Sequence, residues 1–210
     1  MIATRAAAGA AVALVVLPAL VRLLRSTAET QIRRQHLIVL ALAAAGTGAL
    51  AATWPWATTA AGALLVLLAV PAAVVDGLEH RIPDHLSLPL LGGTAVALAT
   101  AALLDPRPAQ LGPTLAAGAA WGGLFLLSYL LSGHPGPGDV KLAPSLGMLL
   151  GWFGWSWLFT GVVLTYLLAL AIGITGVALR RLRWRDGLPM APPMLASTVL
   201  VTTAACLNLT

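Results

Sequence analysis

Long apolar runs separated by short polar breaks dominate the chain. They cover residues 6–24, 37–53, 57–75, 86–104, 113–132, 140–152, 156–179 and 188–208. Most approach or reach the ~20 residues that a helix needs to cross a hydrocarbon core of about 30 Å. Apolar and polar residues do not alternate within them, so they read as helices and not as barrel strands. The pattern predicts an all-α polytopic membrane bundle of about eight segments. Residues 140–152 are the short one. At about 1.5 Å per residue they cannot cross the core alone. That segment is therefore tilted, extended into the aromatic turn Gly151-Trp152-Phe153-Gly154-Trp155, or re-entrant.

The breaks differ in character. The first run has Arg5 before it and Arg22 and Arg25 at its end. No small-x-small cleavage site follows it, so it reads as a retained span and not as a removed signal. Residues 25–36 are polar and basic, and Thr53-Trp54-Pro55-Trp56 reads as a turn with two interfacial tryptophans. Residues 76–85 are the most charged stretch; Asp105-Pro106-Arg107-Pro108 ends the fourth run, and residues 133–139 are rich in Gly and Pro. Arg180, Arg181, Arg183 and Arg185 form the densest basic cluster.

Composition narrows the class. Of 210 residues, 59% are hydrophobic and 9% charged, and the mean hydropathy is +0.91. Soluble domains carry roughly 25% charged residues. The net charge of +5 and pI of about 10.7 do not indicate nucleic acid here, because the arginines flank apolar runs. With the N-terminus outside, alternation of the loops puts ten Arg and Lys on the inner side and two, Arg5 and Arg107, on the outer side. The same alternation puts residues 76–85 and 133–139 on one face, the cytoplasmic one. The lone Cys206 excludes an intrachain disulfide and a four-cysteine zinc site. With no linker or soluble stretch, residues 1–210 read as a single membrane domain.

Candidate chemistry sits at two of these breaks. Asp76 ends the third run, and Asp139 follows Gly136-Pro137-Gly138 at the mouth of the sixth. Ionisable groups at that depth are costly and mark function by default. Two neighbouring carboxyls share a proton, and such a pair can activate water and protonate a leaving group. Gly136 and Gly138 would allow close approach to a substrate or a positive φ before Asp139. Lys141 would orient a carboxylate or snorkel to headgroups. Spacing alone leaves a second reading open, in which Asp76 and Asp139 are interfacial charges paired with Arg81 and Lys141. Glu79 reads as part of a solvated helix start or as a receiver for a basic peptide, and Asp84 as an N-cap. A metal site built from Asp76, Glu79, His80, Asp84 and His85 has no ligand spacing to support it. No metal and no cofactor is expected. Gly118-x-x-x-Gly122 and Gly147-x-x-x-Gly151 would let helices pack closely.

Asp76, followed by Ile82-Pro83-Asp84 and Leu86-Ser87-Leu88, resembles the first motif of the prepilin peptidase family. Gly136-Pro137-Gly138-Asp139-Val140-Lys141-Leu142 resembles its Gly-x-Gly-Asp motif, and Leu188-Pro189-Met190-Ala191-Pro192 is similar to a weaker third element. The resemblance covers roughly residues 60–200. It implies an intramembrane aspartic endopeptidase with Asp76 and Asp139 as the catalytic pair, and with no metal or covalent intermediate. Pro83, Gly136, Gly138, Lys141 and Glu79 would shape the site. The implied partner is a prepilin or pseudopilin, met laterally in the bilayer through its apolar helix and cut at its leader on the cytoplasmic side of the inner membrane. Larger members that also methylate carry an insertion with two Cys-x-x-Cys pairs between the first two helices. Residues 25–36 stand in that place without a cysteine, which speaks against methylation and suggests the compact, tight-adherence subgroup or similar minimal members. Rival readings are a presenilin-like peptidase, a transporter using the two aspartates as a proton relay, and a silent pilus-assembly factor.

Overall fold

The computed structural model describes residues 2–104, 110–180 and 187–208. Arg181, Arg183 and Arg185 of the basic cluster, and the break from Asp105 to Pro108, lie outside these residues. Regular structure among the described residues is helical throughout. The helices are α1 (Ile2–Val15), α2 (Leu17–Thr27), α3 (Arg34–Ala51), α4 (Trp56–Leu64), α5 (Val70–Glu79), α6 (Asp84–Leu104), α7 (Leu111–Ser132), α8 (Pro137–Gly151), α9 (Trp155–Ala178) and α10 (Ala191–Asn208). A π-helical turn over Leu65–Ala69 joins α4 and α5, so Trp56–Glu79 runs as one span of 24 residues. Among the described residues, six helices are long and apolar enough to cross a membrane, or seven if the α1–α2 pair is one span.

That pair corrects the first predicted segment. Residues 6–24 do not form one straight helix; α1 and α2 meet at a bend of 49°. Pro18 is the cause, since it has no N–H for the preceding turn and its ring crowds a carbonyl one turn back. Beyond the bend the pattern becomes one-sided. Leu20, Leu24 and Thr27 are buried on one face while Arg22 and Arg25 keep their charge on another.

The short helix α8 lies at the centre of the bundle. Every residue from Ser145 to Gly151 is buried. Small residues let its neighbour α7 come close. A Cβ at Gly118 would stand 2.6 Å from Met148 Cγ, one at Gly122 2.6 Å from Pro144 Cγ, and one at Gly151 2.2 Å from Ala117 Cβ. The two Gly-x-x-x-Gly pairs thus face each other across one seam, and the Pro144 ring fills the groove that Gly122 leaves. Helix α9, by contrast, buries only 17% of its most apolar stretch and presents Phe159, Leu167 and Leu170 outward.

The two ends of the bundle differ. At one end Arg5 donates to the Trp54 carbonyl at 3.0 Å, and Trp54 Nε1 donates to Thr203 Oγ1 at 3.0 Å. Trp54 is fully buried, so it is a core residue with a satisfied N–H and not the interfacial anchor its turn suggested; Trp56 is the exposed one. The other end gathers the turns after α2 and α5, the loop before α8 and the start of α10.

Candidate active site

Asp76 lies in the last turn of α5, and the helix stops just after it. His80 takes the left-handed conformation (φ 52°) and its N–H bonds to the Asp76 carbonyl at 2.9 Å. The left-handed region is unusual for a residue with a side chain, though His is among those that tolerate it. His80 Nε2 then lies 3.1 Å from the Gly187 carbonyl, tying this turn to the segment that leads into α10. Asp76 is 3% exposed, and its Oδ2 accepts a hydrogen bond of 3.0 Å from the backbone N–H of Ala191, the first residue of α10.

Asp139 is placed by its own neighbours. Gly136 caps α8 with extended backbone, Pro137 occupies the first helical turn where a missing N–H costs nothing, and Asp139 stands three residues after the cap. Its Oδ2 accepts the Gly136 N–H at 3.1 Å, the reciprocal half of a capping box. Asp139 is 5% exposed, and its Oδ1 is buried without a hydrogen-bond partner among the described residues.

Both aspartates line one cavity of about 640 Å³. Its polar lining also includes His80, Ser128, Ser132, His134 and Tyr166, and Leu188, Pro189 and Met190 close one side. The two predicted acids therefore come together although 63 positions separate them.

The second reading of those acids does not hold. Arg81 pairs with Glu79 at 2.8 Å and with Glu29 at 3.0 Å, and Lys141 pairs with Asp84. Neither cation reaches Asp76 or Asp139 in these pairings; among the described residues the hydrogen-bond partners of the two carboxyls are backbone N–H groups. Glu79 is not a solvated helix start. Its side chain is 7% exposed and accepts the Thr30 N–H at 2.7 Å as well as Arg81 Nε. That clamps the α2–α3 connection onto the end of α5.

Other predicted site residues also take different places. Gly136 lines the cavity with φ −64°, and Gly138 is helical, so neither uses a positive φ. Gly138 serves a close approach, but to the chain itself: a Cβ there would stand 2.8 Å from the Ile82 backbone nitrogen. Pro83 is not in the cavity lining; its carbonyl starts α6 by accepting the N–H groups of Leu86 at 3.0 Å and Ser87 at 3.2 Å. Asp84 is then the first helical residue and not a cap, and its carboxylate faces Lys141. The residues weighed for a metal are spread apart, with His85 Nε2 3.0 Å from Thr27 Oγ1. No group of three or more metal-ligating side chains forms among the described residues.

The sequence reading missed Ala191 as a partner of Asp76, and Tyr166 as a cavity residue. Tyr166 had a signal, being a lone phenol in the middle of an apolar run. The Ala191 contact is made by a backbone group, which no residue type announces.

Comparison with known proteins adds a family match. The type IV leader peptidase family matches over residues 63–176, a stretch that runs from α4 into α9 and contains both aspartates. The prepilin leader peptidase/N-methyltransferases of Burkholderia pseudomallei strains 1026b and K96243 are each 33% identical over 163 residues. The alignment covers 76% of this chain and 51% of each relative, so the chain spans about half the length of the curated relatives it matches. No solved structure matches the chain.

Proposed function

Because this chain belongs to the type IV leader peptidase family, we propose that it is an intramembrane aspartic endopeptidase that removes the leader of prepilin-like proteins, with Asp76 and Asp139 as its reacting pair. The observation that carries this reading is the shared cavity, in which two buried carboxyls have no Arg or Lys partner among the described residues. In that setting one carboxyl is held neutral and the other charged. The charged one accepts a proton from water as the water oxygen attacks the scissile carbonyl carbon. The neutral one gives its proton to the carbonyl oxygen. Collapse of the resulting diol breaks the C–N bond, and the departing nitrogen takes up a proton from the pair.

The substrate class follows from the family and from where the cavity lies. The cavity opens at the end of the bundle that the positive-inside bias assigns to the cytoplasm. A leader at the start of an apolar helix would reach it there, at the face of the inner membrane. The relatives' names include N-methyltransferase, but we propose peptidase activity alone. The α2–α3 connection is short, carries no cysteine, and has its Thr30 N–H committed to Glu79.

The test is co-expression with a prepilin encoded nearby, read as a shift to shorter pilin on a gel. Asp76→Asn and Asp139→Asn should each lower cleavage by about 10²–10⁴-fold, the usual worth of a general acid or base, while the protein still inserts. Substantial activity in either variant removes that residue from the mechanism. Incubation with labelled S-adenosylmethionine should leave the mature pilin unlabelled, and transfer of label would overturn the assignment to peptidase activity alone.

A further inference from the structure

The third element noted in the sequence, Leu188 to Pro192, has no part in the water attack described above, yet it touches Asp76. Its geometry is specific. An α-helix leaves its first four N–H groups without helical partners. In α10 the Met190 carbonyl accepts the Met194 N–H, so helical bonding begins there. Of the four positions concerned, Pro192 and Pro193 have no N–H at all. Only Met190 and Ala191 remain as donors, and the Ala191 N–H is spent on Asp76 Oδ2. Of the two donors left at the positive end of this 18-residue helix, the Ala191 N–H is thus the one directed at a carboxylate oxygen.

The two carboxyls are not equivalent in this frame. Each has one oxygen held by a backbone N–H. The other oxygen of Asp139 is buried and has no hydrogen-bond partner among the described residues. Negative charge on a buried oxygen with no donor costs far more than a neutral hydroxyl there. We propose that the start of α10 assigns the roles within the pair: the Ala191 N–H keeps Asp76 the ionised partner, and Asp139 carries the pair's proton. This rests on the reading of Asp76 and Asp139 as the reacting pair. Ala191 is then a positioning residue, acting through Asp76.

The electrostatic surroundings leave this donor in a distinct role. The titratable groups that share the cavity with Asp76 are Asp139 from α8, His80 at the end of α5, His134 before α8 and Tyr166 from α9. On the other elements packed against α5, the charged or titratable groups are Arg22, Arg25, Arg34, His36, Asp84, His85 and Cys206, all outside the cavity lining. Helix α10 has no charged side chain of its own. It therefore bears on Asp76 through a backbone N–H and not through a charged side chain.

The experiment removes one N–H. Ala191→Pro does so at a position in the first helical turn, where proline is well tolerated. Because Ala191 is fully buried, an amide-to-ester replacement at Ala191 removes the same N–H without added bulk, and Ala191→Gly keeps it. Prepilin cleavage is followed across pH with each full-length protein in lipid. Without the donor, Asp76 takes up a proton more readily, so the acidic limb of the kcat profile moves to higher pH by about one unit, with KM kept. The glycine variant keeps the wild-type limb. An unmoved limb in the ester variant overturns the proposal, as does an equal shift in Ala191→Gly. If the wild type cleaves no prepilin, the peptidase reading itself falls and takes this inference with it.

Discussion

Asp76 and Asp139 are held by opposite means. Asp139 is bound to a backbone group three residues away, inside one Gly-Pro-Gly-Asp turn. Asp76 is bound to a backbone group 115 residues away, at the start of the last helix. One acid is placed by a local turn and the other by the assembly of the bundle. A site of this kind separates two tasks. The local half forms whenever α8 forms, whereas the long-range half exists only once α5 and α10 have packed.

The contrast is sharpest at the two glycines before Asp139. Gly138→Ala should lower kcat by about ten- to a hundredfold, because its Cβ would stand 2.8 Å from Ile82 and must push the start of α8 away from the α5–α6 turn. Gly136→Ala should stay within about twofold of wild type, since φ is −64° and the nearest atom to a new Cβ is 3.6 Å away. Equal losses in the two variants would mean that the turn itself, and not its docking on Ile82, sets the geometry. Smaller effects are expected at the two ion pairs flanking the acids. Glu79→Gln should destabilise the protein by about 1–3 kcal/mol, because a nearly buried carboxylate loses its charge while Thr30 and Arg81 still point at it. Lys141→Ala should cost less than about 1 kcal/mol, since both members of its pair with Asp84 are roughly half exposed. Thermal unfolding in detergent ranks the two, and the reverse order would break the view that Glu79 is the structural clamp.

The same contrast explains what could be read from the chain beforehand. Apolar run length located the helices closely: residues 113–132 became α7 (Leu111–Ser132), and residues 156–179 became α9 (Trp155–Ala178). The capping geometry at Gly136 and Asp139 was implicit in residue order, although of the two uses weighed for the glycines, close approach and positive φ, the second is absent. What stayed hidden was partner choice. Four charged residues of the two motifs, Glu79, Arg81, Asp84 and Lys141, pair among themselves and with Glu29, leaving Asp76 and Asp139 out. Which cation meets which anion depends on where the helix ends arrive, and no spacing within one segment encodes that. The bend at Pro18 was legible in principle, but run length alone hid it.

The π-helical turn between Leu65 and Ala69 bears on descent. It fits an additional residue into a span that an α-helix would fill with one fewer. Losing that residue would let the turn close into α-helix with Val70–Glu79 still near its present phase, so Asp76 would stay on the wall it lines. A residue gained as α-helix would instead turn Asp76 by about 100° about the helix axis. The wide turn is therefore the place where this span can give back one residue while the site is kept.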